Sequence, residues 1–127
     1  MTQYFGLAIP FSAYCGIRPL EHGPGWTRTE VDILPEMHNS KGTGHGGLIA
    51  TLLDTSMGSA VRTSDPSASG VITVDLHTTF IGPAVGTIRC EARIIERAGN
   101  TVFCEASVQT REGKPVARAL GTFRLRH

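Results

Sequence analysis

The sequence has no long apolar run, no block of like charge and no cysteine pair at metal-site spacing. Each absence closes off a class of protein. The longest apolar runs fall well short of the ~20 residues that cross a bilayer as a helix. Twelve Lys and Arg against 11 Asp and Glu leave a formal charge of +1, and without a basic run neither nucleic acid nor an anionic membrane is expected as the main partner. Cys15, Cys90 and Cys104 are odd in number, which fits buried reduced thiols in a cytoplasmic protein better than a disulfide framework. Residues 1–9 lack the basic start and long apolar region of a signal peptide, so a cytoplasmic location is expected. His22, His38, His77 and His127 show no ligand spacing and no His-Glu-x-x-His segment occurs, so no metal is expected. A Gly-x-Ser-x-Gly elbow and a Gly-Lys-[Ser/Thr] phosphate loop are also missing. With 127 residues and no internal repeat, the chain reads as one domain, 1–127.

What is present centres on residues 38–58, HNSKGTGHGGLIATLLDTSMG. A polar loop whose Gly42, Gly44, Gly46 and Gly47 allow close backbone approach runs into an apolar segment. From Gly46 to about Arg62 the residues favour helix. Leu48, Ile49, Leu52, Leu53, Met57 and Val61 cover most of its surface, which predicts a helix buried nearly all round. Asp54 then sits in a buried segment, where a carboxylate needs a partner and is a candidate for chemistry. The free N–H groups at the helix start suit a developing oxyanion. Gly46 and Asp54 are eight residues apart, roughly 12 Å along a helix. An Asp side chain cannot close that gap. If both act on one carbonyl, they come from different chains, and the site lies across a dimer interface.

Around this segment the pattern is mostly strand. Residues 10–14 suit a short helix with Pro10 in its first turn, and Phe11 and Tyr14 as its large apolar members, in the core or lining a pocket. A first strand is expected over 16–22 and a second over 26–34, with Thr27, Thr29, Val31 and Ile33 on one side. Pro35 ends it. Residues 63–70 are turn-rich. Four strands follow, over 71–81, 87–97, 101–110 and 116–126, with tight turns at 98–100 and 111–114. One buried helix and a run of antiparallel strands make the fold α+β.

Asn39, Gly42, the His45-Gly46-Gly47 run, Leu53-Asp54 and Gly58 together resemble the PaaI-like, phenylacetate-degradation branch of the hotdog-fold acyl-CoA thioesterases. The resemblance extends from about Pro10 to Arg126. It implies a hotdog fold, an antiparallel sheet wrapped around one long central helix. It also implies hydrolysis of an acyl- or aryl-acyl-CoA thioester without a cofactor, in a homodimer with shared sites that pairs again as a homotetramer. By resemblance Asp54 is the general base or the nucleophile, a choice the sequence leaves open. Thr73 helps it hold the attacking water, Asn39 joins Gly46 N–H in polarising the carbonyl, and His45 orients the loop. The resemblance further assigns CoA contacts to Gly47, Phe80, Arg97, Gly99, Asn100 and Thr101, where a basic residue beside free turn N–H groups suits a pyrophosphate. A non-catalytic acyl-CoA-binding protein of the same fold is the alternative. Turnover as against retention of acyl-CoA separates the two.

Overall fold

The computed structural model describes residues 2–127. Its elements run β1 (Gln3–Tyr4), β2 (Leu7–Ala8), α1 (Pro10–Tyr14), β3 (Arg18–Gly23), β4 (Trp26–Asp32), a 3-10 turn (Pro35–Met37), α2 (Gly46–Ser64), β5 (Gly70–Phe80), β6 (Thr87–Ala98), β7 (Thr101–Thr110) and β8 (Pro115–Arg126). A six-stranded sheet in the order β3-β4-β6-β7-β8-β5 is antiparallel throughout. It curls around α2, the one long helix among the described residues. This is the expected hotdog arrangement.

Alternation fixes which face of each strand meets the helix. Thr27, Thr29 and Val31 of β4 are buried, as are Ile88, Cys90 and Ala92 of β6 and Val102, Cys104, Ala106 and Val108 of β7. They enclose Leu48, Ile49, Leu52, Leu53, Met57 and Val61 of α2. The β4 threonines pay for their burial with hydrogen bonds: Thr27 Oγ1 donates to Ser56 O at 2.7 Å, and the Thr29 and Ser56 hydroxyls share a bond of 2.6 Å. Gly99 opens the two-residue turn between β6 and β7 at φ 62°, a conformation glycine adopts without strain.

Four expectations change. The helix is not buried all round: Gly47, Ala50, Thr51, Asp54, Gly58 and Arg62 form a stripe at helical spacing that stays at least partly open. The six large apolar side chains suggested burial all round, but the small residues between them leave this face partly open. Phe11 and Tyr14 of α1 are 61% and 87% exposed, so they are not core. A hairpin, β1–β2, precedes α1; its turn residues Phe5 and Gly6 both lie at positive φ, 53° and 100°. The buried Tyr4 ring anchors that hairpin, its hydroxyl donating to Ile17 O at 2.8 Å. The first expected strand begins two residues late, at Arg18, because Gly16, at φ 76°, ends the turn that follows α1.

Two edges bound the sheet, and they differ. The β3 edge carries Arg18, Pro19 and Glu21, residues that discourage further pairing. The β5 edge is longer, has no proline and exposes Ile72, Val74 and Phe80.

Candidate functional site

Asp54 lies on the open stripe of α2, half-buried rather than enclosed. A β-bulge in β5 between Thr73 and Asp75 re-aims that strand where it passes the helix. There the Thr73 hydroxyl donates to Asp54 Oδ1 at 2.7 Å. Two residues 19 apart in sequence are thus joined in one hydrogen-bonded pair. A neutral donor to one carboxylate oxygen holds the group in place and leaves the other oxygen open.

Two clefts meet at this pair. One leads toward the N-terminal half of α2, about 420 Å³, walled by Ile9, Phe11, Ala50, Thr51 and Leu76. The other leads toward the C-terminal half, about 330 Å³, walled by Leu7, Gly58, Ser59, Val71 and Phe123. Asp54 and Thr73 line both.

The start of α2 is built separately. His45 is its N-cap, and Gly47 N–H donates to His45 Nδ1 at 2.8 Å. His45 N–H is bound by Met37 O and Gly44 N–H by Ala84 O, each at 2.8 Å, which pins the loop. Gly46 N–H, at the first helical position, has no partner among the described residues. The Phe80 ring stands 3.4 Å from where a side chain at Gly46 would begin, so Phe80 packs against the loop rather than against Asp54. Asn39 folds the loop on itself: its Oδ1 accepts from the N–H groups of Lys41 (2.9 Å) and Thr43 (3.2 Å), and its Nδ2 donates to Thr43 Oγ1 at 2.9 Å. One Nδ2 proton remains for another acceptor.

Asn39, His45, Gly46, Gly47 and Phe80 therefore gather at one end of α2, and Asp54 and Thr73 at its middle. Arg97, Gly99, Asn100 and Thr101 lie at the β6–β7 turn, beside the far end of the helix. Arg97 is not free: its Nη1 meets Asp65 Oδ2 at 3.1 Å and its Nε donates to Gly99 O at 2.8 Å. Asp65, capping the C-terminus of α2, was not singled out in the sequence. Hydrogen bonds from Ser67, His127 and Arg97 hold its carboxyl well below the usual range. The Cys90 and Cys104 thiols are free, and burial pushes each up to about 12, so neither is poised as a nucleophile. No group of three His, Cys, Asp or Glu side chains that could hold a metal occurs among the described residues, and no described helix is long and apolar enough to cross a membrane.

The sequence profile of the thioesterase superfamily matches residues 41–117, from the glycine-rich loop into β8. Human acyl-coenzyme A thioesterase 13 is 39% identical over 61 residues, covering 48% of this chain and 43% of that protein. The chain spans about half the length of the curated relatives it matches. Among solved structures, a conserved protein of Pseudomonas aeruginosa superposes with a TM-score of 0.87 at 27% identity, over 93% of this chain and 94% of that one. The E. coli PaaI protein from the phenylacetic acid degradation operon superposes equally well, TM-score 0.87, at 17% identity over 94% and 86%; that likeness is one of fold. A family profile matched over more than half the chain, on a fold shared with these structures, makes the chain a member of the hotdog-fold thioesterase superfamily.

Proposed function

We propose that the protein is an acyl-CoA thioesterase that hydrolyses an acyl- or aryl-acyl-CoA to free CoA and a carboxylate. The observation that carries this is the Thr73–Asp54 hydrogen bond at the junction of two clefts. The reading calls on no cofactor and places the work in the cytoplasm.

In the general-base form, Asp54 takes a proton from water while the water oxygen bonds to the thioester carbon. The carbonyl oxygen becomes an oxyanion, held by Gly46 N–H and the free Asn39 Nδ2 proton. As the carbonyl re-forms, the C–S bond breaks and the CoA sulfur leaves with the proton. In the nucleophilic form, an Asp54 oxygen bonds to the carbon first, CoA leaves, and water then opens the anhydride. Thr73 serves both by fixing Oδ1 and leaving Oδ2 to react.

Gly46 and Asp54 begin and centre one helix, roughly 12 Å apart, so one carbonyl cannot contact both within a chain. The reading therefore includes a homodimer with shared sites, and dimers that pair again. The unprotected β5 edge, with Ile72, Val74 and Phe80 exposed, supplies a surface for a second copy, since a long apolar edge left open invites pairing. The groups at Arg97, Gly99, Asn100 and Thr101 receive CoA phosphates, and Gly47 and Phe80 border the thioester.

The test is thiol release from a panel of acyl-CoAs by the wild type and Asp54→Asn. The wild type should turn over at least one aryl or medium-chain thioester. The folded variant should lose about a thousandfold or more in kcat. A wild type that binds acyl-CoA and never releases thiol would instead identify an acyl-CoA-binding protein.

A further inference from the structure

The clefts on either side of Asp54 differ in what lines them. In the N-terminal cleft every hydroxyl is already engaged: Ser12 and Thr55 share a bond of 2.6 Å, and Thr51 Oγ1 donates to Gly47 O at 2.8 Å. What remains on offer there is Ile9, Phe11, Ala50 and Leu76. The C-terminal cleft has the larger polar share in its lining, with Gly58 and Gly70 in its wall. Along α2 this cleft points toward Asp65 and Arg97, 11 residues past Asp54 and so roughly 16 Å away. An apolar, hydrogen-bond-saturated cleft suits hydrocarbon. A more polar one that leads to a guanidinium suits the amide-bearing arm and phosphates of CoA.

We propose that the acyl group occupies the N-terminal cleft and that Phe11 on α1 determines which acyl groups fit; this rests on the thioesterase reading above. The Phe11 ring is 61% exposed yet forms part of the cleft wall, so it borders the cleft without being packed into the core. Its size can change at little cost to folding, because α1 is held by Pro10 at its start and by the Ser12–Thr55 bond. The sequence could not distinguish this from a core phenylalanine, since the residue type is the same in both settings.

The experiment measures kcat/KM for butanoyl-, octanoyl-, dodecanoyl- and phenylacetyl-CoA with the wild type, Phe11→Ala, Phe11→Trp and Gly58→Val. Phe11→Ala should raise the dodecanoyl-to-butanoyl ratio about tenfold or more, the least that one methylene is worth in a hydrophobic pocket. Phe11→Trp should lower it. Gly58→Val narrows the C-terminal cleft; a Cβ at that position meets the Phe123 ring at an ordinary 3.5 Å, and an unchanged circular dichroism spectrum checks that the variant is folded. It should reduce kcat/KM for all four thioesters by a common factor and leave the ratio alone. A ratio unmoved by both Phe11 variants, or moved as much by Gly58→Val, overturns the assignment of the clefts while the thioesterase activity stands. A wild type that releases thiol from none of the four overturns the thioesterase reading and this inference with it.

Discussion

The Thr73 hydroxyl is the one side-chain partner of Asp54 Oδ1 among the described residues, at 2.7 Å, on an exposed strand where the residue does nothing for the core. That makes Thr73→Val a sharp probe. Valine has nearly the same shape and favours strand, so the fold should be unaffected. The lost bond is one to a charged group, worth about 1.5–3 kcal/mol, and if it is needed in the transition state kcat falls about tenfold to a hundredfold. Thr73→Ser, which keeps the donor, should recover most of that loss. Stopped assays at saturating acyl-CoA decide it: if Val, Ser and Thr give the same kcat, the hydrogen bond is bystander geometry. The same scale explains why the site was only partly legible in the sequence. Thr73 is one of several threonines in β5, and nothing in residue type marks the one beside the bulge that faces Asp54. Asp54 stood out because a carboxylate among Leu52, Leu53 and Met57 is conspicuous, although its surroundings proved more open than those neighbours suggest.

Among the elements, β6 to β8 could be read to within a residue, because period-2 alternation reports directly which face is buried; β4 ends two residues short of the expected 34, and β5, none of whose residues is buried, was legible only from the turns that bound it. Helix α2 was readable in extent but not in exposure. Glycine, alanine and threonine at 47, 50, 51 and 58 are as compatible with a tight helix–sheet contact as with an open cleft, and only the path of β5 decides. The β1–β2 hairpin could not be read, since two-residue strands carry no period and Phe5 is an unusual residue at positive φ. Strand pairing also brings together charges that no local pattern reveals. Arg18 of β3 binds Asp32 (2.8 and 3.0 Å) and Glu30 (2.8 Å), and Arg89 of β6 reaches Glu30 at 3.1 Å. Arg18, then Thr87, lowers the Asp32 carboxyl to about 2, and Arg18, then Arg89, lowers that of Glu30. A carboxyl whose pKa is depressed by folding contributes stability above its unfolded pKa, about 4 for Asp, and that contribution is lost as pH falls through about 2. Asp32 is 53% exposed, so solvent screening limits it to about 1 kcal/mol or less. Asp32→Asn should therefore lower Tm by a few degrees at neutral pH, and the difference from wild type should shrink on acidification to about pH 2. A Tm gap that stays constant across that range would mean the ion pair contributes nothing.

For the molecule as a whole, the question is whether one chain holds a complete site. The loop of Asn39 and Gly46 and the Asp54–Thr73 pair are fixed to the same helix, which is too stiff to bring them together and sets them roughly 12 Å apart. A two-fold dimer would solve this with two equivalent sites, each taking the loop from one protomer and the carboxylate from the other. Complementation tests that directly. Asn39→Ala and Asp54→Ala should each be nearly inactive alone. Unfolded together in equal amounts and refolded, they pair at random, and about half the dimers are heterodimers. In each heterodimer both lesions fall in one site, and the other site is built from an intact loop and an intact carboxylate. Since half the dimers then carry one good site of two, activity should return to about a quarter of wild type. Sites contained within single chains could not recover, because every site would carry a lesion. Heterodimers confirmed by mass that remain inactive would exclude the shared site and leave the long separation along α2 without a catalytic meaning.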